Sequence, residues 1–160
     1  MRKNYKLRNA IAINATEKVV DAVATSITAK EISLHQHYFS FNFVQLAKQN
    51  KVYKICKEND ADVIQGLVAF KPEHNFLKCE NMEINICNKR PISLHNGIGK
   101  AMIALCCKVS YDLGFDGFIA FEAKNKLHKY YSRMGATQIG NSNKFYISDK
   151  NAQKLIQLYF

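Results

Sequence analysis

Met82-Glu83-Ile84-Asn85-Ile86-Cys87, then a polar connection, then His95-Asn96-Gly97-Ile98-Gly99-Lys100-Ala101-Met102: this stretch decides the fold. The first segment alternates as a strand does, with Met82, Ile84 and Ile86 on one face and Glu83, Asn85 and Cys87 on the other. The second places two glycines, one residue apart, at the start of an apolar helical pattern that runs to Leu113. Glycines let the backbone approach an anion without side-chain collision. The unsatisfied N–H groups of a helix start point at that anion with the positive end of the helix dipole behind them.

Two common phosphate loops are excluded by spacing. A Walker loop needs glycine where Leu94 stands and Ser or Thr where Ala101 stands. A dinucleotide fingerprint needs Gly or Ala where Met102 stands, and no acidic residue closes an early βαβ unit. What remains is Gly97-x-Gly99-x-Ala101 opening an apolar helix, followed by a strand at Phe118-Ile119-Ala120-Phe121 and then Tyr131 and Gly135. Strand, glycine loop, helix and buried parallel strand make one βαβ unit.

Upstream, Tyr5 to Ile13 reads as an opening strand. Val19, Val20, Val23, Ala24 and Ile27 recur at helical spacing and give an expected helix from about Ala15 to Lys30, with Asn14 or Thr16 as N-cap. Phe39, Phe43, Leu46 and Ala47 suggest a second helix ending near Asn50. Val52 to Cys56, Val63 to Phe70 and Phe76 to Cys87 then read as an antiparallel meander, with a turn at Glu58-Asn59-Asp60 and a stop at Pro72. Downstream, Met102, Leu105, Val109 and Leu113 form one helical stripe capped by Gly114. A short helix from Asn125 to Met134 stops at Gly135. A hairpin follows, from Thr137 to Gly140 and Lys144 to Ile147, and Ser148 opens a last helix with Ala152, Leu155, Ile156 and Tyr159 inward. The pattern implies an α/β (α+β) chain of 160 residues without a break, read as a single domain.

Composition sets bounds on function. The chain has 48% hydrophobic and 22% charged residues, the balance of a globular protein. Its longest apolar run, Ala101 to Cys107, is far below the roughly 20 residues that cross a bilayer. Arg2, Lys3, Lys6 and Arg8 lack the apolar core of a secretion signal behind them, so a cytoplasmic location is expected. Five cysteines without CxxC spacing indicate neither a disulfide framework nor a zinc ribbon, and His35-x-His37, His74, His95 and His128 have no acidic or thiol cluster beside them, so no metal is expected. Lysine plus arginine outnumber aspartate plus glutamate by 23 to 13, giving a formal +10. That surplus favours a polyanionic partner, either coenzyme A or nucleic acid.

The order of these motifs, from about Val52 to Ile147, resembles the GCN5-related N-acetyltransferase (GNAT) family, whose pyrophosphate loop reads Arg/Gln-x-x-Gly-x-Gly/Ala. The resemblance implies a mixed, mostly antiparallel central sheet flanked by helices on both faces, with acetyl-CoA as cosubstrate. It implies pantetheine pairing along Ile84, Ile86 and Cys87, and pyrophosphate on the backbone of Asn96, Gly97, Ile98, Gly99, Lys100 and Ala101, with Asn125 as a further coenzyme contact. Leu94 stands where the family usually has Arg or Gln, and the loop after Cys87 is longer than usual. Tyr131, four residues before Gly135, matches a tyrosine that many members place near the departing thiolate, and as a phenol it can act as general acid. Glu83 is the candidate base, with Glu80 and Glu122 competing.

The function implied is acetyl transfer from acetyl-CoA to a primary amine of a small molecule or protein, by direct attack in a ternary complex. A catalytically degenerate coenzyme A-binding or protein-interaction module is the alternative. Nucleic-acid binding through the basic surface is the weaker third, because no helix-turn-helix or RNP-like pattern supports it. The C-terminal Leu158-Tyr159-Phe160 can complete a core or seed a homodimer.

Overall fold

The computed structural model describes residues 3–160, so Met1 and Arg2, the latter among the basic residues noted at the N-terminus, lie outside the described residues. In chain order the elements are β1 (Tyr5–Ile13), β2 (Lys18–Ser26), α1 (Ala29–Ser33), α2 (Phe43–Leu46), β3 (Lys51–Lys57), β4 (Gly66–Pro72), β5 (Leu77–Ile84), β6 (His95–Asn96), α3 (Ile98–Asp112), β7 (Ile119–Glu122), α4 (His128–Arg133), β8 (Thr137–Gln138), β9 (Lys144–Ile147) and α5 (Asp149–Tyr159). The strands form one sheet in the order β6-β1-β2-β3-β4-β5-β7-β9-β8. Its pairs are antiparallel except β5 with β7.

The helix expected over residues 15–30 is not there. Residues 18–26 are a strand that pairs with β1 on one side and β3 on the other. Asn14 to Glu17, which offered helix caps, instead turn the chain: the Glu17 amide donates to the Ile13 carbonyl at 2.9 Å. Valines at 19, 20 and 23 suit a pleated surface as well as a helix stripe, and burial settles the period at two. Ala22 and Ala24 are fully buried while Val23 between them is partly exposed.

The second expected helix shrinks to a 3₁₀ turn, Gln36–Tyr38, and the single turn of α2. Gln36 explains the break. Its amide nitrogen donates to the Phe41 carbonyl and its oxygen accepts from the Phe43 amide, so a side chain satisfies backbone that a continuous helix would have used. Phe39 and Phe43 still reach the core expected of them, packing with Ile32, Val52, Ile64 and Leu67 on one face of the sheet.

The opposite face carries α3 and α5. Ile98, Met102, Ile103 and Leu105 are almost fully buried, and α5 turns Ala152, Leu155, Ile156 and Tyr159 inward. Contact with the sheet is close at Gly66, where a Cβ would lie 2.8 Å from Met102 Sδ and 3.0 Å from Ile98 Cγ2. Because Gly66 also pairs with Ile84, α3 starts level with the end of β5. Tyr159 is buried and Phe160 meets Tyr5 edge-on at 6.2 Å, so the aromatic C-terminus completes this core.

Candidate functional site

Pairing between β5 and β7 joins Leu77–Cys79 to Ile119–Phe121 and goes no further among the described residues, although β5 continues to Ile84. The edge of β5 beyond Cys79 therefore borders a gap. On its other edge β5 is bulged, since Ala69 pairs with Asn81 and Phe70 with Cys79, leaving Glu80 as the extra residue. Glu80 is held by Lys78 at 3.3 Å and Lys71 at 3.6 Å.

The glycine cradle lies at the end of that gap. Gly97 is the N-cap of α3 with φ +89°, and a Cβ on it would lie 2.9 Å from the Ala10 carbonyl oxygen. A Cβ on Gly99 would lie 2.7 Å from the Tyr130 hydroxyl. Gly97 needs glycine for both conformation and space, since the Ala10 carbonyl is backbone, whereas at Gly99 the tip of the Tyr130 side chain would have to shift. A helix start leaves its first amides pointing outward, here those of Ile98, Gly99 and Lys100. The Ala101 amide is already used, donating to the Gly97 carbonyl at 3.1 Å. Ile98 puts its side chain into the core, so its part in anion binding is confined to its amide, and Ala101, buried and with its amide used, has no free donor to offer. Asn96 pairs with Ala12 and donates from Nδ2 to Asn14 at 2.9 Å, which ties the cradle to the first hairpin. The donor set fits a diphosphate: the outward Ile98 and Gly99 amides, the Lys100 ammonium one residue on, and the Tyr130 hydroxyl over Gly99, at which the Lys100 amide is directed.

The long connection before the cradle is built on a buried polar network. Asn88 donates from Nδ2 to Gln65 Oε1 at 2.8 Å and accepts the Nδ1–H of His95 at 2.8 Å. Asn85 donates to the Ile64 carbonyl and accepts the Cys87 amide. Burial and the nearby Lys57 lower the His95 pKa, so its imidazole stays neutral near pH 7. The unfolded chain takes up that proton near the ordinary 6.5 and the folded one at lower pH, so stability falls as pH drops below that value. Melting temperature should be lower at about pH 5.5 than at about pH 7.5, with a smaller difference in His95→Gln.

Glu83 is buried, and its carboxylate accepts the Ser40 and Phe41 amides at 2.7 to 2.9 Å and pairs with Lys89. Burial alone would raise its pKa, but Lys89 and the two amides outweigh this and lower it. The loop that Glu83 holds reaches across the gap: the Phe41 ring lies 5.7 Å from the Lys124 ammonium, just beyond β7. Asn125, next along, opens the 3₁₀ turn before α4 and is exposed.

Tyr131 is buried where β5 and β7 still pair, its ring 4.9 Å from Phe121 and near the thiols of Cys79 and Cys106. Burial, with the neighbouring Tyr130 adding to it, pushes the Tyr131 phenol up to about 12. The adjacent Tyr130 has its hydroxyl over Gly99 with the Lys100 amide directed at it. Ile84 and Cys87 are partly exposed and Ile86 is 52% exposed, at the start of the long connection. Ile86 and Cys87 fall outside the strand, which ends at Ile84, and Ile86–Asn88 forms a 3₁₀ turn. A cleft of about 320 Å³ is lined by Tyr38, Ile64, Asn85, Ile86 and Cys87.

No protein-family model matches the chain, and no curated protein is significantly similar to it in sequence. Solved structures do match in fold. The AtaTR complex bound with acetyl-CoA is 14% identical, covering 84% of this chain and 97% of that one, with a TM-score of 0.60. The KacTA–DNA complex is 15% identical over 98% of this chain and 99% of that one, with a TM-score of 0.57. A Desulfovibrio desulfuricans protein described as a putative acetyltransferase of the GNAT family is 10% identical over 79% and 95%, with a TM-score of 0.51. An interrupted β5–β7 pair, a bulge beside it and a glycine-capped helix at its end, in a sheet that superposes on these structures, give the chain the fold of the GCN5-related N-acetyltransferases.

Proposed function

We propose that the protein is an acetyl-CoA-dependent N-acetyltransferase acting on a primary amine. The observation that carries this reading is the open edge of β5 leading to a cradle in which a side chain at position 97 would collide with the β1 backbone. Bound there, acetyl-CoA supplies the acetyl group as a thioester. The amides of Ile98 and Gly99 hold its diphosphate, with the Lys100 ammonium beside them, and Ile84 to Cys87 with Asn125 flank the arm. When the amine attacks and the carbon–sulfur bond breaks, the Tyr131 hydroxyl donates its proton to the departing sulfur. A phenol held near 12 stays protonated throughout the neutral range, as an acid must.

Glu83 is better suited to holding the Ser40–Phe41 loop than to taking a proton. Its lone pairs are occupied and its lowered pKa makes it a weak base. A water relay, or Glu122 on β7, is left to take the amine proton. Glu83→Gln should therefore raise the acceptor KM about tenfold with kcat within about threefold, the pattern of lost uniform binding. A fall in kcat alone, with loss of the acidic limb of the pH profile, would restore Glu83 as the base.

Calorimetric titration with acetyl-CoA tests the reading at its root. Micromolar binding supports it, and the absence of binding removes it. Several fold neighbours are toxins, one described as bound to its antitoxin and acetyl-CoA, so induced expression with growth as readout is a direct screen for a vital acceptor. The second reading, a coenzyme binder without catalysis, is favoured by the occupied Glu83. Tight acetyl-CoA binding with no amine-dependent release of thiol would select it.

A further inference from the structure

We infer that Lys124 is an acceptor carried by the chain itself, a lysine that takes the acetyl group from a coenzyme bound in its own β5–β7 gap. Cys79 with Phe121 is the last pair of the parallel register among the described residues, and Glu83 and Lys124 stand four and three residues past it, so the two are level across the gap. Glu83 accepts the Phe41 amide at 2.9 Å, and the Lys124 ammonium lies 5.7 Å from the Phe41 ring. The lysine leaves the β7 side and ends on a ring anchored to the β5 side. Its amine is thereby held at the mouth of the gap.

Other lysines that border β5 are tied to carboxylates. Lys89 pairs with Glu83, and Lys71 and Lys78 pair with Glu80. Lys124 is exposed and makes no ion pair among the described residues. A carboxylate partner would have to be given up before the nitrogen could attack, and Lys124 has none to give up. Its contact with an exposed ring is weak, so the side chain is kept near the gap without being locked in place. Acetyl-CoA in the cradle runs its arm along the open edge of β5 and past Asn125, the residue after Lys124, which brings thioester and amine into one space. Holding a nucleophile beside its target replaces an encounter in solution by an intramolecular step.

The Lys124 nitrogen bonds to the thioester carbon as the carbon–sulfur bond breaks. Of the two protons that the ammonium gives up, one ends on the coenzyme sulfur by way of Tyr131 and the other passes to water. The product is a neutral amide. It lacks the charge that drew the side chain to the Phe41 ring, so the contact over the gap is lost once the reaction has run.

This inference rests on the acetyltransferase reading above, and its test separates the two. The full chain is incubated with acetyl-CoA and no added acceptor, and acetyl groups are placed by peptide mass mapping. Lys124 should be modified at least about tenfold faster than the exposed Lys126 and Lys129 beside it, with a rate constant unchanged when the chain is diluted about tenfold. S-acetyl-N-acetylcysteamine, a thioester without a diphosphate to dock, should show no such selectivity. Phe41→Ala keeps the backbone amide on Glu83 and removes the ring, and should erase most of the lead of Lys124. Acetyl-CoA that binds while Lys124 reacts no faster than its neighbours, or at a rate that rises with chain concentration, overturns the inference and leaves the coenzyme reading standing. Equal selectivity from the small thioester, or a lead undiminished in Phe41→Ala, overturns it as well. Absence of acetyl-CoA binding removes both.

Discussion

Tyr131→Phe should lower amine-dependent turnover about 100-fold, the smaller end of what a positioned general acid contributes, while acetyl-CoA affinity stays within about twofold. The argument is geometric before it is chemical. Tyr131 lies where the β5–β7 pairing ends, against Phe121 and two buried thiols, so phenylalanine keeps the ring packing and loses one oxygen. Melting temperature should change little. The pH profile adds a check with a definite sign: because the phenol is pushed up to about 12, raising the pH to about 9.5 does not deprotonate it, and the wild-type rate should show no fall there from this group. Tyr130→Phe is the matched control. Its hydroxyl lies over Gly99 beside the Lys100 amide, so its loss should alter coenzyme affinity and leave saturated turnover almost unchanged. If instead Tyr130→Phe lowers turnover and Tyr131→Phe does not, the acid has been assigned to the wrong member of the pair.

How much of this was legible depends on what each signal measures. The stretch around Gly97 was readable because the positive φ at the helix start is a local constraint, and local constraints are what residue type reports. The C-terminal helix was readable because four apolar residues on one stripe leave no second way to bury them. Residues 18–26 were misread because valine and alanine at 19, 20, 22, 23 and 24 satisfy a helix stripe as well as a strand face, and the deciding fact, pairing with β3, is not local. The bulge at Glu80 left no mark in sequence either: it exists only as a mismatch of register with β4. The occupation of Glu83 by Ser40 and Phe41, more than 40 positions upstream, is a tertiary contact that an alternating strand pattern cannot announce. Features set by local backbone were thus the readable ones, and those that depend on a distant partner were not.

Gly97→Ala should combine a stability loss with a binding loss, and comparison with Gly114→Ala isolates the part due to the site. Both glycines have nearly the same left-handed backbone, φ +89° and +90°. An L side chain in that region costs roughly 1–2 kcal/mol wherever it occurs. At Gly114 nothing lies within 4 Å of the added Cβ, so Gly114→Ala meets that conformational cost and no more. At Gly97 the Cβ would meet the Ala10 carbonyl oxygen at 2.9 Å, and this atom belongs to the β1 backbone, which cannot rotate away as a side chain does. Relief requires β1 and the start of α3 to separate, and the same movement re-aims the outward amides of Ile98 and Gly99. Gly97→Ala should therefore melt about 5 °C below the wild type, against about 3 °C for Gly114→Ala, at the few degrees per kcal/mol typical of this chain length. Acetyl-CoA affinity should fall at least about tenfold in Gly97→Ala, the loss of roughly one good charge-assisted hydrogen bond, and stay unchanged in Gly114→Ala. Equal melting losses with intact affinity in both would show that the contact at Ala10 yields without cost and that the cradle tolerates a side chain.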